Sequence, residues 1–261
     1  MNIRFLTAAL ACAALAACAQ PQPAPPAPTP VTPVTLYSVP KLAPASAPKI
    51  KVQVDALKSG HLISTKYTFC MADGHGGVGA APNWSPRIAW SKGPAGTKSY
   101  AVIVYDTDSP AEHREWMNQQ GQTLTAAIKR KIYFHMVLVD VPAKVTMLAE
   151  GAESDARVLH GKQAPAKIGV HGANTFTQAT AANDALKGTY YGYDGPCTPW
   201  NDQNTHHYHF AVYALSVASL GLSGDFGGEA AIAAMQGKVL AQGELLGVFS
   251  TNPTVMPKLP K

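Results

Sequence analysis

Charge is scarce in this 261-residue chain. Only 14% of its residues are Asp, Glu, Lys or Arg, against about a quarter in ordinary globular proteins. A coiled coil and a wholly disordered chain are thereby excluded, while 46% hydrophobic residues supply enough to bury a core. Cysteine is sparse too: 4 residues exclude a disulfide-dense small scaffold. Beyond the first 20 residues no apolar run approaches the roughly 18 needed for a spanning helix, which excludes a polytopic membrane protein. Basic runs are absent beyond the triplet Lys129-Arg130-Lys131. A net charge of +5 and a pI near 9.0 therefore describe a mildly basic solvated surface, and no nucleic-acid partner is expected. What the chain has in excess is Gly (22) and Pro (21).

Three segments follow. Residues 1–17 carry one basic residue, Arg4, and an apolar stretch from Phe5 to Leu15, the form of a secretory signal and too short to span a bilayer. The stretch ends Leu15-Ala16-Ala17-Cys18, which resembles the lipobox of bacterial lipoproteins. That resemblance implies a diacylglycerol thioether on Cys18, acyl chains such as palmitate, and a membrane partner through this lipid anchor. Ala19 and Gln20 follow with no Asp at the second mature position, which implies the outer membrane of the cell envelope, facing the periplasm. Residues 18–48 form the second segment. Ten of the 21 prolines lie between Pro21 and Pro48, a density that favours polyproline II and reads as a spacer of up to roughly 80 Å. The third segment, 49–261, is the folded domain. Cys12 leaves with the leader, so Cys70 and Cys197 remain; an exported compartment permits a bridge between them, and two partly buried thiols are the alternative.

Apolar alternation and β-branched residues place strands at 50–57, 65–70, 87–90, 98–106, 132–141, 206–216 and 245–250. Those containing Tyr100–Tyr105, Tyr133–Val139 and Phe210–Leu215 are nearly continuously apolar, as central strands covered on both faces are. Helices are expected at 228–241 and, shorter, at 122–130. The reading is mainly β: a two-sheet antiparallel β-sandwich with a few peripheral helices.

Three clusters carry chemistry. Asp106-Thr107-Asp108-Ser109-Pro110 closes a strand with two carboxylates one residue apart, so both are expected to face one site. His135 lies in an apolar strand, on the face of Tyr133, Val137, Val139 and Val141. Gly195-Pro196-Cys197-Thr198-Pro199 exposes backbone N–H groups that suit an oxyanion, and in His206-His207-Tyr208-His209-Phe210 alternation puts His206, Tyr208 and Phe210 on one face. Because His206, His207 and His209 divide across two faces, no metal site is expected from them.

In this order the clusters resemble the two signature regions of the phosphatidylethanolamine-binding protein family, closest to its bacterial Raf-kinase-inhibitor-like branch. Ser85–Trp90, Gly192–Cys197 and Leu240–Pro253 are similar to it as well, so the likeness covers about 60–255. Thr107 and Ser109 stand where Pro and Ala are usual, Thr198 where Pro is common, and His207 where eukaryotic members have Arg. Arg114-Glu115-Trp116 is similar to a eukaryotic tripeptide but lies too far from His135 to carry over. The segment 111–131 reads instead as an insertion forming a rim or lid. The resemblance implies a binding protein without cofactor or catalysis. Its pocket would take a small anionic ligand, phosphate or a phosphoryl headgroup, with Asp106, Asp108, His135, Gly195, Pro199, His206 and Tyr208 at the site. His135, His206 and Tyr208 would donate to the anion, and affinity would rise as pH falls through about 6 to 7. Two alternatives stand beside this: an inhibitor of an envelope protease, and a hydrolase with Cys197 as nucleophile, His206 or His135 as base and Asp106 as orienter.

Overall fold

A computed structural model describes residues 38–165 and 168–260. The expected leader, Cys18 and most of the proline-rich segment lie outside them. The described part of that segment does not stand off from the domain. Val39, Leu42 and Ala47 pack against the core and Ala43 is buried in it, with the Ala43 N–H donating to Gln242 Oε1. The packed domain therefore begins about ten residues before the boundary placed at 48.

Eleven strands are present among the described residues. In chain order they are β1 (Val52–Val54), β2 (His61–Leu62), β3 (Cys70–Ala72), β4 (Val78–Ala80), β5 (Ile88–Trp90), β6 (Ser99–Pro110), β7 (Arg130–Pro142), β8 (Met147–Leu148), β9 (Val170–Gly172), β10 (His206–Leu215) and β11 (Val239–Phe249). The main sheet has six strands in the order β2-β11-β10-β6-β7-β9. A three-stranded sheet, β1-β5-β8, faces it, and β3 pairs with β4 alone. Pairing is antiparallel except for β2 on β11. Two short α-helices interrupt this order, α1 (Phe176–Ala179) between β9 and β10 and α2 (Gly228–Met235) between β10 and β11.

The apolar runs of β6, β7 and β10 are explained by cover on both faces of the main sheet. On one face Val102, Val104, Met136, Leu138, Phe210 and Val212 meet Val54, Ile88, Trp90 and Leu148 of the smaller sheet. On the other, Ile103, Phe134, Val137, Val139 and Tyr213 lie under Ile232 and Met235 of α2. Gly228 lets α2 approach: a Cβ there would sit 2.2 Å from the Phe134 ring.

Several boundaries differ from the sequence reading. Residues 65–67 form a 3-10 turn before β3, because Ser64 Oγ caps the Lys66 N–H. Helix α2 ends at Met235, and the chain returns as β11 from Val239 after the positive-φ Gly237. No helix forms over 122–130. Its Leu124 instead exchanges backbone hydrogen bonds with Asn201 and Gln203. Strand β6 continues past Asp106 to Pro110.

Candidate functional site

Where β6, β7 and β10 run side by side, their ends enclose a cavity of about 280 Å³. Asp106, His135, Gly195, Pro199, His206 and Tyr208 line it, together with Tyr133, Cys197 and the rim residues Arg114, Met117 and Lys131; Phe176 and Leu186 close the far wall. Register explains the convergence, since Tyr208 pairs with Asp106 and Asp106 with Tyr133.

A β-bulge delivers His135. Val104 pairs with Met136 and Tyr105 with Phe134, leaving His135 as the extra residue of β7. The bulge reverses the alternation, so His135 does not share the face of Val137 and Val139. Those two pack under α2, while the imidazole turns into the cavity 5.1 Å from the Tyr208 ring. Re-aiming one side chain is what such an insertion does.

Asp108 is a correction. A second irregularity, between Asp106 and Ser109, turns its carboxylate away, and Asp108 is not among the lining residues. Its Oδ2 accepts from the His207 N–H at 3.0 Å and lies 3.0 Å from His207 Nδ1. Its own N–H donates to Asp106 Oδ1 at 2.7 Å. Asp108 thus braces Asp106 from outside the cavity. Burial opposes its charge, but His207 and Thr107 hold its carboxyl below the usual range.

His206 is also placed differently from expectation. Both its nitrogens face carboxylates: Nδ1 is 2.7 Å from Asp106 Oδ2 and Nε2 is 3.2 Å from Asp202 Oδ2. Arg130 in turn donates to both oxygens of Asp202, at 2.5 and 3.0 Å. The result is a buried chain of alternating charge: Arg130, Asp202, His206, Asp106. Burial alone would discharge His206, yet the two carboxylates push it up to about 10. Burial likewise disfavours the Asp202 carboxylate, which His206 and Arg130 hold below its ordinary value. With both N–H groups committed to Asp106 and Asp202, His206 orders the floor of the cavity.

His135 behaves in the opposite way. Its Nδ1 is 2.6 Å from the Asp194 carbonyl oxygen, and burial lowers its pKa. The Asp194 N–H returns a bond to the His135 carbonyl at 3.0 Å, tying the Gly195 loop to β7. At Gly195 a Cβ would lie 2.1 Å from the Tyr67 carbonyl oxygen, so only glycine fits. Its N–H does not face an anion, because it donates to Asn83 Oδ1 at 2.8 Å.

Cys70 and Cys197 form a disulfide across 127 residues. Cys197 therefore has no thiolate to serve as a nucleophile, which removes the Cys-His hydrolase reading. Among the described residues no group of three or more His, Cys, Asp or Glu side chains could hold a metal ion.

The insertion is a fixed rim. Asn118 accepts the Trp200 N–H on Oδ1 at 2.9 Å and gives its own N–H to Asn201 Oδ1 at 3.0 Å. Asn201 Nδ2 also bonds to the carbonyls of Trp116 and Gln122. Through this rim Arg114 reaches the cavity mouth near Lys131. Burial and the neighbouring Arg114 both hold the Lys131 ammonium below its ordinary value. Sequence reading does not reach Asp202, and it gives the others no place at the site: Arg130 and Lys131 stand only in a basic triplet, Arg114 in a tripeptide not carried over, and Tyr133 only on the face of His135. Asp202 stands four residues before His206 and Tyr133 two before His135, spacings that a search of the motif flanks would have reached.

The chain matches the family model described as phosphatidylethanolamine-binding protein over residues 53–250. It is 29% identical over 205 residues to UPF0098 protein YbcL of Escherichia coli, covering 78% of this chain and 90% of that one. A UPF0098 protein of Aquifex aeolicus is likewise 29% identical, over 81% of this chain and 95% of that one. The fold is similar to the crystal structure of Escherichia coli YbcL, described as a new member of the mammalian PEBP family. The TM-score is 0.55 at 26% identity, over 78% of this chain and 99% of that one. A PEBP homologue from Chlamydia trachomatis, CT736, gives 0.51 at 26% identity, over 77% and 97%. With three-quarters of its length matched and the strand ends of both signature regions meeting at one cavity, the chain belongs to the phosphatidylethanolamine-binding protein family, in its bacterial branch.

Proposed function

We propose that this is a binding module, held at the bacterial envelope by lipid on Cys18, that receives a small phosphoryl anion in the cavity between His135 and Tyr208. The observation that carries the reading is the division of charge at the cavity. The floor is buried and its charges are already paired through Arg130, Asp202, His206 and Asp106. Two cationic side chains, Arg114 and Lys131, stand at the mouth. A small concave site with a few convergent polar groups is the usual form of a ligand pocket. Cations at a rim favour an anion at close range and fall off with salt.

The donors to the anion are then Arg114, Lys131 and the Tyr133 and Tyr208 hydroxyls, with His206 serving only to hold Asp106. Because burial lowers the pKa of His135, its added charge would strengthen binding only below the ordinary histidine range. Titration calorimetry with phosphate and phosphoethanolamine tests the reading. Binding is expected at millimolar ligand or better and is lost in the double variant Arg114→Ala, Lys131→Ala. No heat from either ligand at millimolar concentration would end it. The tether is tested separately by palmitate labelling, which Cys18→Ser abolishes while releasing the protein from the membrane fraction.

A further inference from the structure

The anion reading leaves open which protonation state of a phosphoryl group the cavity takes, and the hydrogen bonds around His135 bear on that choice. A carbonyl oxygen can only accept, so the 2.6 Å contact between His135 Nδ1 and the Asp194 carbonyl puts the neutral ring's proton on Nδ1. The remaining ring nitrogen, Nε2, then carries a bare lone pair. Beside it on β6 lies the Asp106 carboxylate, also in the cavity wall. At His135 the wall thus offers an acceptor, where an oxyanion without a proton would need a donor.

This tautomer is imposed by a buried network behind the wall. Asp194 Oδ1 accepts from Lys162 Nζ at 2.9 Å and from Asn83 Nδ2 at 2.9 Å, and its Oδ2 accepts from Asn174 Nδ2 at 2.8 Å. The Lys162 ammonium also bonds to the Tyr193 carbonyl. Asn83 sits at φ 59°, a left-handed conformation that Asn tolerates, and bridges Asp194 to the Gly195 N–H. Lys162, Asn83 and Asn174 are therefore positioning residues. They fix Asp194, and Asp194 fixes the ring.

Resting on the anion-binding reading above, we propose that the cavity selects a phosphoryl group that still carries a proton, hydrogen phosphate or the monoanion of a phosphomonoester, by receiving its O–H on His135 Nε2 beside Asp106. The groups that face the His135 ring are Asp106 from β6, His206 and Tyr208 from β10, Tyr133 from its own strand and Asp194 from the loop, with Arg114 and Lys131 at the mouth. Burial discourages a second proton on His135, and the charged His206 adds to this in smaller measure. Asp106 and Asp194 act in the opposite sense without prevailing. A phosphodiester or sulfate has no proton to offer, so its oxygen meets the Nε2 lone pair with no hydrogen between them, an unsatisfied and repulsive contact.

The test compares hydrogen phosphate, sulfate, methyl phosphate and dimethyl phosphate on the wild-type chain by calorimetry. At pH 7.5 hydrogen phosphate is expected to bind at least about tenfold more tightly than sulfate and dimethyl phosphate. Methyl phosphate is mostly dianionic at that pH and binds weakly. It tightens as pH falls through about 6, where its second proton is taken up. Nitrogen NMR of the His135 ring at pH 7.5 is expected to show the proton on Nδ1. Sulfate or dimethyl phosphate binding within threefold of hydrogen phosphate, or a ring proton on Nε2, would overturn the selectivity and leave an anion pocket standing. Silence from all four ligands would overturn the anion reading itself, and this inference with it.

Discussion

The buried charge chain makes a quantitative demand on stability. His206 has an ordinary value of 6.5 in the unfolded chain and about 10 in the fold. At about 1.4 kcal/mol per unit, the raised value corresponds to about 5 kcal/mol of stabilisation. A group whose folded pKa is raised contributes fully below its unfolded value and loses that contribution as pH rises through the folded one. The window is therefore from 6.5 to about 10. The perturbation is His206→Gln, which keeps a polar side chain between Asp106 and Asp202 and removes the titration. Urea unfolding of wild type and variant across that window reads the effect. The difference in unfolding free energy should be largest at or below pH 6.5. It should then shrink by about 1.4 kcal/mol per pH unit, levelling off near pH 10 at whatever pH-independent difference the substitution itself makes. Because other lysines and tyrosines titrate identically in both proteins, the difference isolates His206. A gap that stays constant from pH 7 to 10 would refute the claim that His206 is held as a cation by its two carboxylates.

Three further outcomes are expected. Asp202→Ala strands Arg130 and removes one partner of His206, so it should destabilise by about 3–5 kcal/mol; differential scanning calorimetry gives the loss, and a change under 1 kcal/mol would contradict the buried chain. Gly195→Ala forces a Cβ towards the Tyr67 carbonyl and should cost about 1–3 kcal/mol while weakening phosphate binding in calorimetry. Cys70→Ser with Cys197→Ser opens a link across 127 residues and should lower stability by about 2–5 kcal/mol, measured by urea unfolding against the oxidised parent.

How much of this was legible beforehand depends on the range of the interaction. The three long strands could be read because their side chains are apolar on both faces, a local property. Asp106, His135, His206 and Tyr208 could be gathered because they stand in recognisable order along the chain. The face of His135 could not be read, because a bulge is one extra residue against a partner strand and leaves no mark in a single sequence. Asp108 was misplaced for the same reason. The role of His206 was missed because two acidic partners, 100 residues upstream and four residues upstream, reach it only through the fold. The start of the domain was read from proline density, yet Ala43 and Leu42 reach the core between prolines.

The rim hairpin between Pro110 and Arg130 has a particular standing in the molecule. Its two ends are held as a paired register position, and its grip on the body is gathered largely in Asn118, the buried Leu124, and Arg130. None of its residues from 111 to 123 belongs to either apolar core. Such a piece behaves as a cassette. Changes in length or composition within 111–123 would therefore alter what is admitted at the doorway while leaving the two apolar clusters beneath untouched.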